Sequence, residues 1–220
     1  MYVAIIGDIV GSRKIKNRNE LQNRLNFILK EINNEYSHVI AADFLITLGD
    51  EFQGLLESSE YLFEIVDKIR FSMYPVKLRV GVGIGTIDTE VVRHMAIGAD
   101  GPAFHYARKM MEELHMNEDS QQSRMMNLKL WMNGDEDLIN LVNSNLSLCS
   151  CLENGWTEKQ IEAVSSILYQ DITQRELAGK LGISPSSVQR RLNSAHYYDY
   201  RSAREIITEI FQKRWGKENE

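Results

Sequence analysis

The sequence predicts an α+β fold: a β-α-β-β-α-β unit of the ferredoxin-like, split-βαβ kind, then an all-α segment with helix-turn-helix spacing. Three observations predict it. Short apolar runs alternate with amphipathic helical patterns through about residue 115. The stretch Ala41–Leu56 (AADFLITLGDEFQGLL) doubles back around a Gly-Asp-Glu turn, as a β-hairpin does. After Asn154-Gly155, two capping boxes follow one another within twenty residues. The expected boundary separates residues 1–152 from residues 153–220.

Tyr2–Gly7 (YVAIIG) is a continuous apolar run ending in Asp8-Ile9-Val10-Gly11-Ser12, the pattern of a central strand buried on both faces. Asp8 falls at its carboxyl end, where α/β proteins commonly place ligands. Gly11 and Ser12 occupy the next turn, where free amides before a helix suit a phosphate. Leu21, Leu25, Ile28, Leu29 and Ile32 then form the stripe of an amphipathic helix. The central hairpin comes next. Asp50 and Glu51 stand at its tip beside Gly49, in an otherwise apolar stretch. They are either the wet end of the hairpin or the ligands of something cationic, since an unpaired buried charge is costly.

A second helix, about Ser59 to Phe71, carries Leu62, Phe63, Val66 and Ile69, with Ser58 or Ser59 as its cap and Pro75 beyond its end. In the strand Val76–Ile84 (VKLRVGVGI), Val76, Leu78, Val80, Val82 and Ile84 share one face, and Lys77, Arg79, Gly81 and Gly83 the other. Two glycines on one face predict that a backbone or a ligand approaches closely. Arg79, on that same face, reads as a solvated basic residue or as an anion contact. Gly101-Pro102 opens a helix with Ala103, Phe104, Ala107, Met110 and Met111 toward a core and Arg108 at its edge. That arginine either snorkels or meets an anion. His94 and His105 have no partners at metal-ligand spacing. A polar loop (117–123), a strand over Met125–Met132 and a helix over Asp135–Leu148 complete this part.

In a split-βαβ order the hairpin lies beside the first strand, so Asp8 and Asp50 converge. Two carboxylates there would suit Mg²⁺ or Mn²⁺ with substrate phosphates, and a metal can activate an attacking hydroxyl. The segments DIVGS, LGDEF, RVGVGIG and A-x-x-Y-A-R together resemble the palm-type catalytic domain of class III nucleotide cyclases and GGDEF diguanylate cyclases. That resemblance implies a nucleoside triphosphate or related nucleotide bound with Mg²⁺ or Mn²⁺. It assigns Asp8 and Asp50 to the metal, Arg108 to phosphate charge, and Gly11, Ser12, Gly49, Glu51 and Arg79 to the nucleotide. The chain departs from the family at several places: Ile46 stands at the base-reading lysine, Phe104 at the transition-state asparagine, LGDEF replaces GGDEF, and the guanine-reading Asn and Asp of the first helix have no clear match. Losing one preorganised donor lowers the rate by roughly 10²–10³.

In the carboxy-terminal segment, Thr157–Gln160 is a capping box stapled by Trp156 and Ile161. Thr173–Glu176 is a second, stapled by Ile172 and Leu177. Gly182 breaks that short helix, and Ser184-Pro185 starts another, in which Val188 and Leu192 face inward. ITQRELAGKLGISPSSVQRRL resembles the DNA-binding segment of bacterial regulators of the sigma region 4 type. Ser186, Ser187, Gln189, Arg190 and Arg191 are its expected DNA contacts, glutamine suiting adenine and arginine suiting guanine or phosphate. A bundle that never meets DNA is the alternative, because residues 153–220 carry ten basic and ten acidic side chains. The stripe Ile206, Ile207, Ile210, Phe211 and Trp215 of a last helix, about Arg201 to Trp215, would pack on this segment or pair two chains as a homodimer. The two parts in combination resemble the SatD family of bacterial proteins.

Composition bounds these readings. A net charge of −6 excludes a general nucleic-acid coat and a membrane-surface binder, while leaving room for a local DNA-reading face. No run approaches the roughly 18 apolar residues that span a bilayer, and no signal peptide precedes Met1. Cys149 and Cys151 read as ordinary thiols of a reducing, cytoplasmic compartment. The expected function is a nucleotide- and metal-binding transcription regulator with a cyclase-like sensor. The alternative is an active nucleotidyl-transfer enzyme whose helical part localises or dimerises it.

Overall fold

The computed structural model describes residues 1–12, 15–94, 96–119, 126–170 and 172–216. It is a mixed α+β structure, with one five-stranded sheet and eight helices among the described residues. The elements of the first part are β1 (Tyr2–Ile9), α1 (Arg18–Glu35), β2 (Ile40–Leu48), β3 (Glu51–Leu56), α2 (Leu62–Ser72), β4 (Leu78–Gly85), α3 (Pro102–Asp119) and β5 (Leu128–Met132). They are followed by α4 (Glu136–Asn154), α5 (Glu158–Tyr169), α6 (Gln174–Leu181), α7 (Pro185–Ser194) and α8 (Tyr197–Trp215). Helix α3 takes in the first three residues of the expected polar loop, and the rest of that loop and Met125 lie outside the described residues.

The sheet runs β2-β3-β1-β4-β5, antiparallel except for the β4–β5 pair. The central strand β1 pairs with the hairpin through Gly7 and Phe52, and with β4 through Val3 and Ile84. Its side chains alternate between two cores, as the period of two requires. Val3, Ile5 and Ile9 face the larger core, which also holds Leu25 and Leu29 of α1, Val66 of α2, Val142 of α4 and Phe211 of α8. Ala4 and Ile6 face a smaller core under α3, built on Ala103, Phe104, Ala107 and Met111.

The two glycines of β4 fix how closely α3 lies. A Cβ on Gly83 would stand 2.0 Å from the Ala103 carbonyl oxygen, and one on Gly81 2.5 Å from that of Ala107. The close approach expected at this face is therefore made by the α3 backbone. An asparagine occupies one backbone position on each edge of the sheet. Asn33 of α1 donates to the Phe44 carbonyl and accepts from its amide at 2.9 and 2.8 Å on β2. Asn143 of α4 does the same for Leu130 on β5, at 2.8 and 2.9 Å. Each covers backbone groups that an open edge would offer to another strand.

Two local expectations are corrected. Tyr61, not Ser58 or Ser59, is the residue before α2, and no side chain caps that helix. The Ser59 hydroxyl instead donates to the Phe211 carbonyl at 2.9 Å, so it anchors α8. Helix α8 itself begins at Tyr197, four residues earlier than its apolar stripe indicated, because Tyr197 and Tyr200 are buried in the helical core. The buried side of its stripe, Ile207 and Phe211, is used within the chain, on the larger sheet core. The boundary expected after residue 152 falls in the last turn of α4. Leu146 of that helix belongs to the sheet core, and Cys149 to the helical one.

A buried ionic cluster holds the two cores together. The Asp67 carboxylate of α2 is fully inaccessible. It accepts from Arg70 at 3.1 Å, from Arg204 of α8 at 2.5 Å and from the Tyr169 hydroxyl of α5 at 2.6 Å. Arg70 also pairs with Glu153 of α4, whose other oxygen accepts from the Tyr200 hydroxyl at 2.8 Å. Two carboxylates and two guanidiniums balance. Burial works against the charge on both arginines, yet Glu153 and Asp67 hold the Arg70 pKa above its usual value, and Asp67 does so for Arg204. Burial and the neighbouring Asp67 hold the Tyr169 and Tyr200 hydroxyls protonated well beyond their ordinary range, so they serve as donors.

Breaking such a cluster leaves an uncompensated buried charge. The Asp67→Asn variant is expected to lose about 3–5 kcal/mol of stability in urea unfolding, and a loss below about 1 kcal/mol would contradict this account. Gly83→Ala should lose about 1–3 kcal/mol in the same measurement, through forced separation of α3 from the sheet.

Candidate functional site

The carboxyl end of β1 brings charged residues into a nearly dry place. Asp8 and Arg79 are 9% and 8% exposed and stand directly opposite each other on β1 and β4. Arg79 Nε donates to Asp8 Oδ1 at 2.9 Å and its Nη2 to Oδ2 at 3.2 Å, a bidentate pair. His115 of α3 completes the group, its Nε2 lying 3.0 Å from Asp8 Oδ2. Both carboxylate oxygens thus face nitrogen atoms, two of them on a cation. The reading of Arg79 as a solvated residue does not hold, because the antiparallel register places a carboxylate opposite it on the face that α3 covers.

The remaining expected residues surround this group without joining it. Gly7 pairs with Phe52, so the hairpin tip and Asp8 share one end of the sheet. At that tip Gly49 takes the left-handed conformation (φ 64°), Asp50 is half-buried and Glu51 is exposed. The Glu51 side chain accepts from the Thr47 hydroxyl at 3.1 Å, and the Gly49 carbonyl accepts from Gln22. Gly11 is also left-handed (φ 67°), and Ser12 beside it is buried. Arg108 is exposed, seven residues before His115 on α3, hence two turns or roughly 10 Å along the axis. Phe104 is fully buried in the core under α3. Clefts of about 730, 520 and 210 Å³ lie elsewhere, the first between α2, α5 and α8, and Asp8, Asp50, Arg79 and Arg108 line none of them.

This geometry bears directly on the expected metal. Mg²⁺ and Mn²⁺ take oxygen ligands in fixed array. Asp8, the first ligand expected, already gives both oxygens to nitrogen partners. Among the described residues, moreover, no three His, Cys, Asp or Glu side chains cluster as a metal site requires. The residues do not fit a divalent ion in this arrangement. His115 escaped the sequence reading. Its signal was its spacing, two turns from Arg108 on the helix that covers the Arg79 face.

The second candidate surface is α7. Ser184 caps it, its side chain accepting from the Ser187 amide at 3.2 Å, and Gly182 before it is left-handed (φ 62°). Val188 and Leu192 are buried in the helical core, while Ser186, Gln189 and Arg190 face solvent. Ser187 is half-buried, and its hydroxyl lies 2.9 Å from that of Ser184. Arg191 turns the other way and pairs with Glu162 of α5 at 3.3 Å. Asn193 joins the exposed face, a residue not singled out from the sequence. Both capping boxes are formed, at Thr157–Gln160 and Thr173–Glu176. Hydrogen bonds from the Thr173 backbone and hydroxyl hold the Glu176 carboxyl below the usual carboxylate range.

The Asp8–Arg79 pair can be tested through the charge it leaves behind. Arg79→Met should destabilise the protein by about 3 kcal/mol, and adding Asp8→Asn should recover at least half of that. Chemical denaturation of the two single variants and the double variant measures both. Additive losses in the double variant would show that the two side chains do not depend on each other.

Comparison with known proteins gives one sequence-level match and several weak structural ones. No curated protein matches the chain. Among solved structures, it is similar to a bacterial light-regulated adenylyl cyclase at 15% identity and a TM-score of 0.42, over 59% of this chain and 74% of that one. A second such cyclase structure matches at 13% identity and a TM-score of 0.43, over 59% of this chain and 42% of that one. The guanylate cyclase domain of RhGC from Catenaria anguillulae, solved in complex with GTP, matches at 12% identity and a TM-score of 0.35, over 50% and 71%. The model of the SatD family matches residues 2–211, from the first sheet strand through α8, and the chain therefore belongs to the SatD family.

Proposed function

We propose that this protein is a DNA-binding regulator in which α6 and α7 act as a helix-turn-helix, with α7 in the major groove. The carrying observation is the outer face of α7. Residues 177–198 contain Lys180, Arg190 and Arg191 but no aspartate or glutamate, in a chain whose net charge is −6. On that acid-free stretch Ser186, Gln189, Arg190 and Asn193 are exposed on a capped helix, with the Ser186 hydroxyl 2.9 Å from that of the cap residue Ser184. Glutamine and asparagine can pair with adenine, and arginine with guanine or phosphate. Arg191 leaves the set, since its partner is Glu162.

In this reading the sheet domain, residues 1–152 with the ferredoxin-like strand order, serves as a nucleotide sensor. Arg108 and the exposed end of the hairpin at Gly49 and Glu51 are the groups available to phosphate and ribose. Turnover is not part of the reading. Asp8 is committed to Arg79 and His115, and Phe104, buried at the place of a hydrogen-bond donor, offers none. On this reading a nucleotide phosphate would compete with Asp8 for the Arg79 guanidinium.

The test is selection of duplex DNA from a random pool, followed by anisotropy titrations at several salt concentrations. An enriched motif is expected, with Arg190→Ala reducing affinity about tenfold or more and Arg191→Ala affecting stability rather than sequence preference. Failure to enrich any sequence would overturn the DNA reading. Thermal shift with nucleoside triphosphates, with and without Mg²⁺, tests the sensor: ligand at about 100 times its Kd stabilises by about 2.7 kcal/mol.

A further inference from the structure

Helix α4 has an inner side fully explained by the fold and an outer side that the fold leaves unused. Its inner side carries Ile139, Val142 and Leu146 into the sheet core, and Asn143 onto β5. Its outer side exposes Leu141 and Leu148, at 68% and 69%. With Leu138, Asn145 and Leu152 these form one line with spacings of 3, 4, 3 and 4 residues, the a/d seam of a coiled coil over two heptads. Leu138 and Leu152 are partly covered by their own cores, and no described element covers Leu141 or Leu148.

Charge distinguishes this seam from an ordinary wet helix face. A quarter of the chain's residues are Asp, Glu, Lys or Arg, yet residues 138–152 include none. A solvent-facing helix normally carries charges opposite its apolar stripe. Here the exposed positions beside the leucines are Asn140, Ser144 and Cys151, with Ser147 half-buried. The helix is also not long and apolar enough to cross a membrane.

We propose that this face joins two copies of the chain, α4 against α4, across a two-fold axis at Asn145. In an isologous contact only the residue on the axis meets its own copy, and Asn145 there is neutral, so no like charges are opposed. A second copy of this uncharged face meets it with leucines and amides alone, whereas a charged partner would find nothing here to pair with. The seam is also nearly symmetric about Asn145. Leucines lie four residues before and three after it, and again seven residues to either side. In antiparallel packing Leu141 meets the partner's Leu148, and Leu138 the partner's Leu152. The two Asn145 amides meet at the axis, where a polar pair fixes register at some loss of stability. Two heptads make a small interface, so association will depend on concentration.

Sedimentation velocity of the full chain over a concentration series tests this. The wild type is expected to pass from monomer to dimer, and Leu141→Glu/Leu148→Glu to stay monomeric at every concentration with its helical circular dichroism intact. Ile206→Glu, which changes an exposed apolar residue of α8 (57% exposed), is expected to dimerise like the wild type. A wild type that is monomeric throughout overturns the proposal. So does a dimer that survives the double substitution, or one abolished by Ile206→Glu alone. Should the double variant fail to fold, Asn145→Cys in a Cys151→Ser background decides. Oxidation then yields a disulfide-linked dimer, and its absence overturns the axis at residue 145.

Discussion

The carboxylate of Asp67 is the constraint on which the arrangement of this protein depends. An ionised group with no access to water must be met by charge and hydrogen bonds on every side. Its partners come from three other places: Arg70 one turn along α2, Tyr169 on α5 and Arg204 on α8. Arg70 in turn needs Glu153, which needs the Tyr200 hydroxyl. The cluster is complete only when the helical segment is docked on α2, so a partly docked state would bury charges without partners. Such clusters contribute little net stability against an apolar alternative, but they discriminate strongly between one docking geometry and its neighbours. The apolar contacts around it, including the edge-to-face pair of Phe63 and Phe211 at 5.2 Å, supply the burial. The ionic pairs supply the orientation. Helix α7 rests on α5 and α8, and it is thereby held at a set angle to the sheet.

The Asp8–Arg79–His115 group solves the same problem on the other side of the molecule. A carboxylate at the end of a central strand, under a covering helix, needs a cation. A bound metal is one source, and here the adjacent strand is another. Gly81 and Gly83 allow α3 to settle close to β4, and α3 brings His115 over Asp8. The close packing that the glycines permit and the closure of the acidic site are thus one event. The carboxylate at the end of β1 is used here as half of an internal ion pair.

Local chemistry was the legible part of this sequence. The hairpin around Gly49, the stripe of α1 and the capping boxes at Thr157 and Thr173 are set by residues within four positions of one another, and each formed where its pattern stood. The close approach at Gly81 and Gly83 was also legible, though its cause, backbone or ligand, was not. What sequence could not supply were partnerships over distance. Arg79 and Asp8 are 71 residues apart, and Asp67 and Arg204 are 137 apart. No periodicity marks Asp67 as buried, since an aspartate in an amphipathic helix ordinarily faces water. Ser59 shows the converse error: a serine before a helix has the look of a cap, but tertiary packing against Phe211 claimed its hydroxyl.

The surfaces left for other molecules follow from what the fold has closed. Sheet proteins associate most readily by adding strands at an open edge. In this chain Asn33 occupies the Phe44 backbone on β2, and the Asp43 amide donates to the Arg93 carbonyl of a covering loop at 2.7 Å. Asn143 occupies Leu130 at the opposite edge. The faces of the sheet are covered as well, one by α3 and the other by α1, α2 and α4. Contact with partners therefore falls to the outward sides of helices, and only their chemistry can distinguish one partner from another. An acid-free side with amide and guanidinium groups, as on α7, suits a polyanion with hydrogen-bonding edges. An uncharged side with leucines at heptad spacing, as on α4, suits its own copy. Because the Asp67 cluster fixes α7 relative to α4, a two-fold through α4 would set the spacing between two α7 helices without any further contact.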